Sequence, residues 1–241
     1  MTQRIALSDA ARHALEHVST ATLTSQLLKR GFRNTFIFGM LASRPDLRMV
    51  GYAYTLRYVP SREDVGFDVD YDNRTDVQRI AVESIGAGDV LVVDARESTR
   101  SASFGHILAT RIARRGAAGL VTDGCLRDSP SFVDLALPTY SHGAHATTSS
   151  VAHFPADVNV PIGCAGVLVM PNDIVVGDRE GVVVVPAAIA DEVALDAAAQ
   201  DQLEEYSLER VAAGESIVDV YPLAASESEA YARWLAGKRH Q

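Results

Sequence analysis

The stretch FGHILATRIARRGAAGLVTDGCLRDSP, residues 104–130, carries two periodicities in succession. Phe104, Leu108 and Ile112 recur at i, i+4 and i+8 with Ile107 beside them, which predicts the apolar stripe of a helix opening at Phe104. Arg114 and Arg115 fall in its last turn, where the helix dipole favours cations, and Gly116 ends it. Residues 118–122 then form a mostly apolar run of the kind found in strands buried on both faces. The following TDG is expected to be the turn at the strand's carboxyl end, shaped by Asp123 and Gly124. Ligands of α/β folds collect beyond the carboxyl ends of strands, so Arg127 and Asp128 stand where chemistry is expected.

The same alternation continues on both sides. Upstream, MVGYAYTLRYV (49–59) and DVLVVDA (89–95) read as strands, VQRIAVESI (77–85) as a helix, and SREDVGFDVDYDNRTD (61–76) as a polar loop. Near the start, Ser8 can cap DAARHALEHV, and Ser19 or Thr20 can cap ATLTSQLLKR before Gly31 stops it. Downstream, LPTYSHG (137–143) predicts a short strand. The run PIGCAGVLVMPNDIVVGDREGVVVVP (161–186) predicts two or three strands with turns at Pro171-Asn172-Asp173 and Asp178-Arg179-Glu180-Gly181. A long helix over 187–214 and a shorter one complete the chain. With no Ser/Gly/Pro linker and no repeat, the expectation is a single α/β domain over 1–241, its core at about 19–186 and C-terminal helices over 187–241.

Composition narrows the function classes. Of 241 residues, 47% are hydrophobic and the formal charge is −9, with no basic run beyond Arg114-Arg115, so electrostatic attraction to nucleic acid is not expected. No segment has the ~20 apolar residues a membrane helix needs, and the N-terminal residues are amphipathic, which predicts a cytoplasmic protein. Cys125 and Cys164 are too few for a disulfide framework and read as small buried residues. Only Lys29 and Lys238 among the 22 basic residues are lysine, one on a polar helix face and one in a terminal tail, so neither suits imine chemistry.

Arg127 offers a planar fork for a carboxylate, and Asp128 an oxygen ligand of the kind Mg²⁺ or Mn²⁺ prefers. The start of the preceding helix, from Gly105 through His106 and Ile107 to Leu108, adds backbone N–H groups suited to an anion. Taken alone, an Arg-Asp pair reads more readily as a surface ion pair or a cap of a helix over SPSFVDLAL (129–137).

GHILATRIARRGAAGLVTDGCLRD resembles the family that contains the bacterial regulators of RNase E activity and the metal-dependent 4-hydroxy-4-methyl-2-oxoglutarate aldolases. STATLTSQL, GYAYTLRY, DVLVVDA, PIGCAGVLVMPNDIVVGD and EGVVVVP match as well, so the resemblance runs from about Ser19 to Pro186. It implies a compact layered α/β sandwich of the RraA-like, swivelling-domain type with helical extensions, assembled as trimers or dimers of trimers with sites between subunits. It further implies a lyase that releases pyruvate from 4-hydroxy-2-keto acids or decarboxylates oxaloacetate. Arg127 would bind the pyruvyl carboxylate, Asp128 would anchor Mg²⁺ or Mn²⁺ in part through water, and the amides of Ile107 and Leu108 would complete the cradle. Glu204 or Glu205 would reach the site of a neighbouring subunit. Both reactions leave a pyruvate enolate, whose charge a divalent ion can stabilise where no suitable lysine exists.

Two positions depart from the aldolase pattern. His106 stands where an acidic residue usually follows the glycine, and Ser131 where one often follows the Arg-Asp pair. His106 can serve as a partner of a metal-bound group, a ligand for a softer ion, a general base near neutral pH, or a plain helix-start residue. The alternative function is that of a non-catalytic regulator binding a ribonuclease or helicase; a third is the same chemistry on sugar-derived 3-deoxy-2-keto acids. His142 and His145, with His153 beyond, have metal-like spacing but read as a solvated loop, and Cys125 lacks a local base to make it a nucleophile.

Overall fold

The computed structural model describes residues 4–64, 72–218 and 220–238; part of the expected polar loop, 65–71, lies outside them. The strands are β1 (Phe36–Ile37), β2 (Leu41–Ala42), β3 (Met49–Pro60), β4 (Asp89–Asp94), β5 (Ala102–Gly105), β6 (Gly119–Arg127), β7 (Thr139–Ala144), β8 (His153–Val158), β9 (Ile162–Cys164), β10 (Val167–Val169), β11 (Ile174–Gly177) and β12 (Val182–Val185). The helices are α1 (Asp9–Leu15), α2 (Thr20–Lys29), α3 (Val77–Ser84), α4 (His106–Arg114), α5 (Ala190–Ala212) and α6 (Ser228–Lys238). The caps follow the sequence: Ser8, Ser19 and Asp76 each accept a backbone N–H in the first turn of α1, α2 and α3.

Ten strands form one mixed sheet with the path β1-β12-β11-β3-β4-β6-β7-β2, while β5 joins β6 and β8 joins β3. Its centre, β3-β4-β6-β7, is parallel, and β4 and β6 within it are nearly wholly buried. Helices α3 and α4 cover one face through Ala81, Val82, Ala109 and Ile112 against Leu56, Leu91, Val93, Leu120 and Leu126. The β9–β10 hairpin covers the other face, setting Ile162, Cys164, Val167 and Val169 against Val90, Val92 and Val121. Helices α1, α2 and α5 pack on the β11–β12 end through Leu15, Leu23, Leu27, Val193 and Ala197. The layered α/β class expected from the sequence is therefore the one observed.

Four expectations are corrected. Phe104 belongs to β5, not to the helix, which starts at His106. TDG is not a turn: Thr122, Asp123 and Gly124 are fully buried within β6, which runs on to Arg127. The segment 161–186 makes four strands, because Ala165 (φ 44°) and Gly166 (φ 75°) supply an additional hairpin turn. The histidines do not share a solvated loop: His142 is on β7, and His153 opens β8 with only 2% exposure. SPSFVDLAL, for its part, forms a 3-10 turn over Ser129–Asp134.

The TDG segment is where β6 changes neighbours. Its pairing with β4 ends at Val93 opposite Thr122, and pairing with β5 begins at Ala102 opposite Cys125. Between them the Asp123 carboxylate accepts the amides of Ala95 (2.5 Å), Glu97 (3.1 Å) and Ala165 (3.1 Å). The first two lie in the segment leaving β4, where Arg96 and Glu97 both have left-handed φ (61° and 53°), a conformation that costs of order 1 kcal/mol or more per residue unless held. Gly124 lets this segment close up: a Cβ there would stand 2.8 Å from that of Ala95 and 3.0 Å from that of Ser103. Asp123→Ala leaves three backbone donors without their acceptor and is expected to lower unfolding free energy by about 3 kcal/mol or more, measured by urea denaturation.

Candidate functional site

The pairing of β5 with the end of β6 sets Gly105 opposite Arg127. The chain turns from β5 directly into α4, so the first turn of that helix and the Arg127-Asp128 pair become two walls of one cleft of ≈190 Å³. Gly105, Ile107, Leu108, Arg127 and Asp128 all line it. Gly105 caps α4 with no side-chain hydrogen bond, which leaves the first-turn N–H groups for solvent or an anion. Asp128 adopts a left-handed conformation (φ 62°, ψ 31°), and its carbonyl accepts the Ser131 amide at 3.0 Å, opening the 3-10 turn. This kink turns its carboxylate toward the helix start: a Cβ on Gly105 would lie 3.7 Å from Oδ2. Arg127 Nε stands 3.8 Å from Asp128 Oδ1, and both side chains are about half exposed (51% and 49%), so the pair remains open to ligands.

His106 does not line this cleft. Its ring meets Phe132 edge-on at 5.6 Å, and Nε2 lies 3.5 Å from Thr110 Oγ1. Ser131 is exposed on the 3-10 turn. Glu204 accepts from Gln200 at 2.8 Å and Glu205 pairs with Lys238; neither lines the cleft of its own chain. His145 borders an open depression on the other side of Arg127 and Asp128, and its Nδ1 accepts the Thr147 amide at 3.1 Å.

Neither lysine lines the cleft of its own chain. Lys29 donates to Gln200 at 2.8 Å and Lys238 lies over Trp234 at 4.5 Å, both outside the cleft. Burial pushes the Cys125 thiol up from its ordinary value, which opposes thiolate formation. Among the described residues, Asp128 is the one carboxylate in the cleft lining, and the only tight trio of metal-type side chains is His13, Glu16 and His17, exposed on and just after α1. A single half-exposed carboxylate suits Mg²⁺ or Mn²⁺, which keep several waters and take further oxygens from substrate, and does not suit a closed zinc site.

Four further lining residues carried no signal in the sequence. Gln78 and Arg79, from the first turn of α3, and Thr148 and Ser149, from a short 3-10 turn before β8, line the same cleft. Asp76 marks where α3 begins, but only the packing of α3 against β8 and α4 and the Gln78 hydrogen bond to Ser103 of β5 decide which of its side chains reach the cleft.

Residues 7–184 match the family model described as RraA-like, Aldolase/RraA. The chain belongs to the RraA-like family. A relative from Halalkalibacterium halodurans, named "putative 4-hydroxy-4-methyl-2-oxoglutarate aldolase", is 33% identical over 130 residues, 54% of this chain and 61% of that one. The match thus spans about three fifths of that relative's length. Among solved structures, Streptomyces coelicolor RraAS2, described as an unusual member of the RNase ES inhibitor RraA protein family, superposes with TM-score 0.76 and 33% identity, covering 86% of this chain and 98% of that one. An uncharacterized protein from Pseudomonas syringae pv. tomato gives TM-score 0.76 and 26% identity over 89% and 98%. Among the described residues of this RraA-like chain, no helix is long and apolar enough to cross a membrane.

Behind the cleft, His153 is held neutral. Its Nδ1 faces Arg96 Nη2 at 3.3 Å and so acts as acceptor, its Nε2 faces the Ser101 carbonyl at 3.4 Å, and burial lowers its pKa from the ordinary histidine value. The folded-state pKa lies below the unfolded one, so this histidine's contribution to stability is present above pH ~6.5 and is lost as pH falls below it. Wild-type stability is expected to decline by up to about 1.4 kcal/mol per pH unit from this source, with a shallower decline in His153→Gln, measured by urea denaturation between pH 5 and 8.

Proposed function

We propose that this RraA-like protein is a divalent-metal-dependent lyase, a class II aldolase or decarboxylase, acting on small 2-keto acids. The carrying observation is the register that sets Gly105 against Arg127, placing uncapped helix amides, a guanidinium and a carboxylate around one cleft that contains no lysine. Arg127 grips the substrate carboxylate with two parallel N–H donors, and the amides of Ile107 and Leu108 receive the same anionic end. Asp128 would hold Mg²⁺ or Mn²⁺. The bound ion supplies Lewis acidity toward the 2-keto oxygen, the electron sink that both retro-aldol cleavage and oxaloacetate decarboxylation require. His106, seated on Phe132, positions the helix start. Pyruvate and a second carbonyl compound, or pyruvate and carbon dioxide, are the products.

A homotrimer or homohexamer fits this reading. Ile107 is 80% exposed at the rim, an apolar side chain that a neighbouring subunit would cover, and Glu204 or Glu205 of such a neighbour would approach the cleft. The likeness to Streptomyces coelicolor RraAS2, of the RNase ES inhibitor RraA protein family, supports the alternative, a regulator that binds a ribonuclease; a helicase partner belongs to the same alternative.

Purified protein incubated with oxaloacetate and 4-hydroxy-2-keto acids is expected to release pyruvate with Mg²⁺ or Mn²⁺ and not with EDTA. Arg127→Ala and Asp128→Ala are each expected to reduce kcat/KM by about 10² or more. Undiminished turnover in EDTA or in either variant would sink the lyase reading. No pyruvate from any substrate, with saturable binding to a ribonuclease, would establish the regulator instead.

A further inference from the structure

We infer that Arg79 is a second anion-binding residue of the cleft, and that it selects 2-keto acids whose end remote from Arg127 bears a carboxylate. This rests on the proposed substrate-binding role of Arg127 and extends it to a second arginine of the same cleft. Arg79 lines the cleft from α3 and Arg127 lines it from β6, so both arginines border the space a bound ligand would occupy.

The guanidinium of Arg79 is oriented without being neutralised. Nε donates to Asn73 Oδ1 at 3.2 Å and Nη1 to Gln78 Oε1 at 2.9 Å, both neutral amide oxygens, and no carboxylate pairs with it among the described residues. Those two bonds use two of its five N–H donors, which leaves a hydrogen on Nη1 and both on Nη2. One donor from each makes the parallel fork that fits a planar carboxylate. This contrasts with Arg30, Arg44, Arg57, Arg62, Arg111 and Arg210, each ion-paired with an aspartate or glutamate.

The mount is rigid for a surface arginine. Gln78 is buried at 6% exposure, and its Nε2 donates to Tyr58 Oη at 2.5 Å and to the Ser103 carbonyl at 3.1 Å. Tyr58, also buried, donates to the same carbonyl at 3.0 Å. Ser103 lies on β5, two residues before Gly105, so the strand that fixes the helix-start amides also fixes the amide that aims Arg79. The main-chain N–H of Arg79 is tied at 2.9 Å to Asp76, the cap of α3. An arginine whose only task was solvation would have no need of a buried amide, tyrosine and strand carbonyl behind it.

The test compares two unreactive ligands of equal carbon number, 2-oxoglutarate and 2-oxopentanoate, which differ in bearing a carboxylate or a methyl group at the far end. Titration calorimetry on the full chain with Mg²⁺ is expected to give 2-oxoglutarate a roughly ten- to hundredfold tighter Kd, the range of a charge-assisted hydrogen-bonded pair. Arg79→Gln should erase that preference and leave 2-oxopentanoate binding within about twofold, and Arg79→Lys should retain part of it. Arg127→Gln should weaken both ligands alike. Equal affinity of the wild type for the two ligands, no binding of either, or a preference unchanged in Arg79→Gln would each overturn the inference, as would equal loss of both ligands in that variant with its thermal unfolding unaltered. Selective binding of 2-oxoglutarate without pyruvate release from any donor substrate would overturn the lyase reading and leave Arg79's role standing.

Discussion

The arrangement of this protein depends on one buried carboxylate. Asp123 sits in the middle of β6 where that strand exchanges β4 for β5 as its neighbour, and its three amide partners lie in the segment leaving β4 and in the β9–β10 hairpin. An ionisable group in such a place is costly, and burial raises its pKa against the opposing pull of the three N–H groups. What the cost secures is a sharp exit from β4 through two left-handed residues, followed by re-entry of the chain as β5 beside Cys125, Leu126 and Arg127. Without that exchange, α4 would not begin opposite Arg127.

The site follows from this exchange by short steps. Register sets Gly105 against Arg127; the immediate strand-to-helix passage aims uncapped amides into the space between; and the left-handed Asp128 swings its carboxylate to the same place. On the far side, Tyr58, Gln78 and the Ser103 carbonyl carry the order of β5 across to α3. One short strand of four residues thus holds both walls. Its rigidity comes from pairing and burial, which is why a cleft with half-exposed charged side chains is still geometrically defined.

The signals legible in the sequence were local ones. Alternation, apolar runs and caps placed β3, β4, α1, α2, α3 and α5 correctly, because each element's burial pattern is written in its own residues. The match to the RraA-like family runs over residues 7–184 and includes the contiguous stretch that brings Gly105, Ile107, Leu108, Arg127 and Asp128 together. The misreadings also share a cause. Phe104 satisfied a helical stripe equally well as a buried strand residue, and TDG has the composition of a turn wherever no buried partner is known for its aspartate. The hidden turn at Ala165-Gly166 was masked by an unbroken apolar run on either side.

By itself, then, the sequence determined the α/β class, the buried strands, the absence of a lysine suited to imine chemistry and the pair Arg127-Asp128, since each of these is a property of neighbouring residues. Only the tertiary structure decided that Asp123 is a strand residue holding three amides, that His106 rests on Phe132 outside the cleft, and that Arg79 faces it. Those three depend on contacts between segments far apart in the chain, where one residue's role is set by what the fold brings against it.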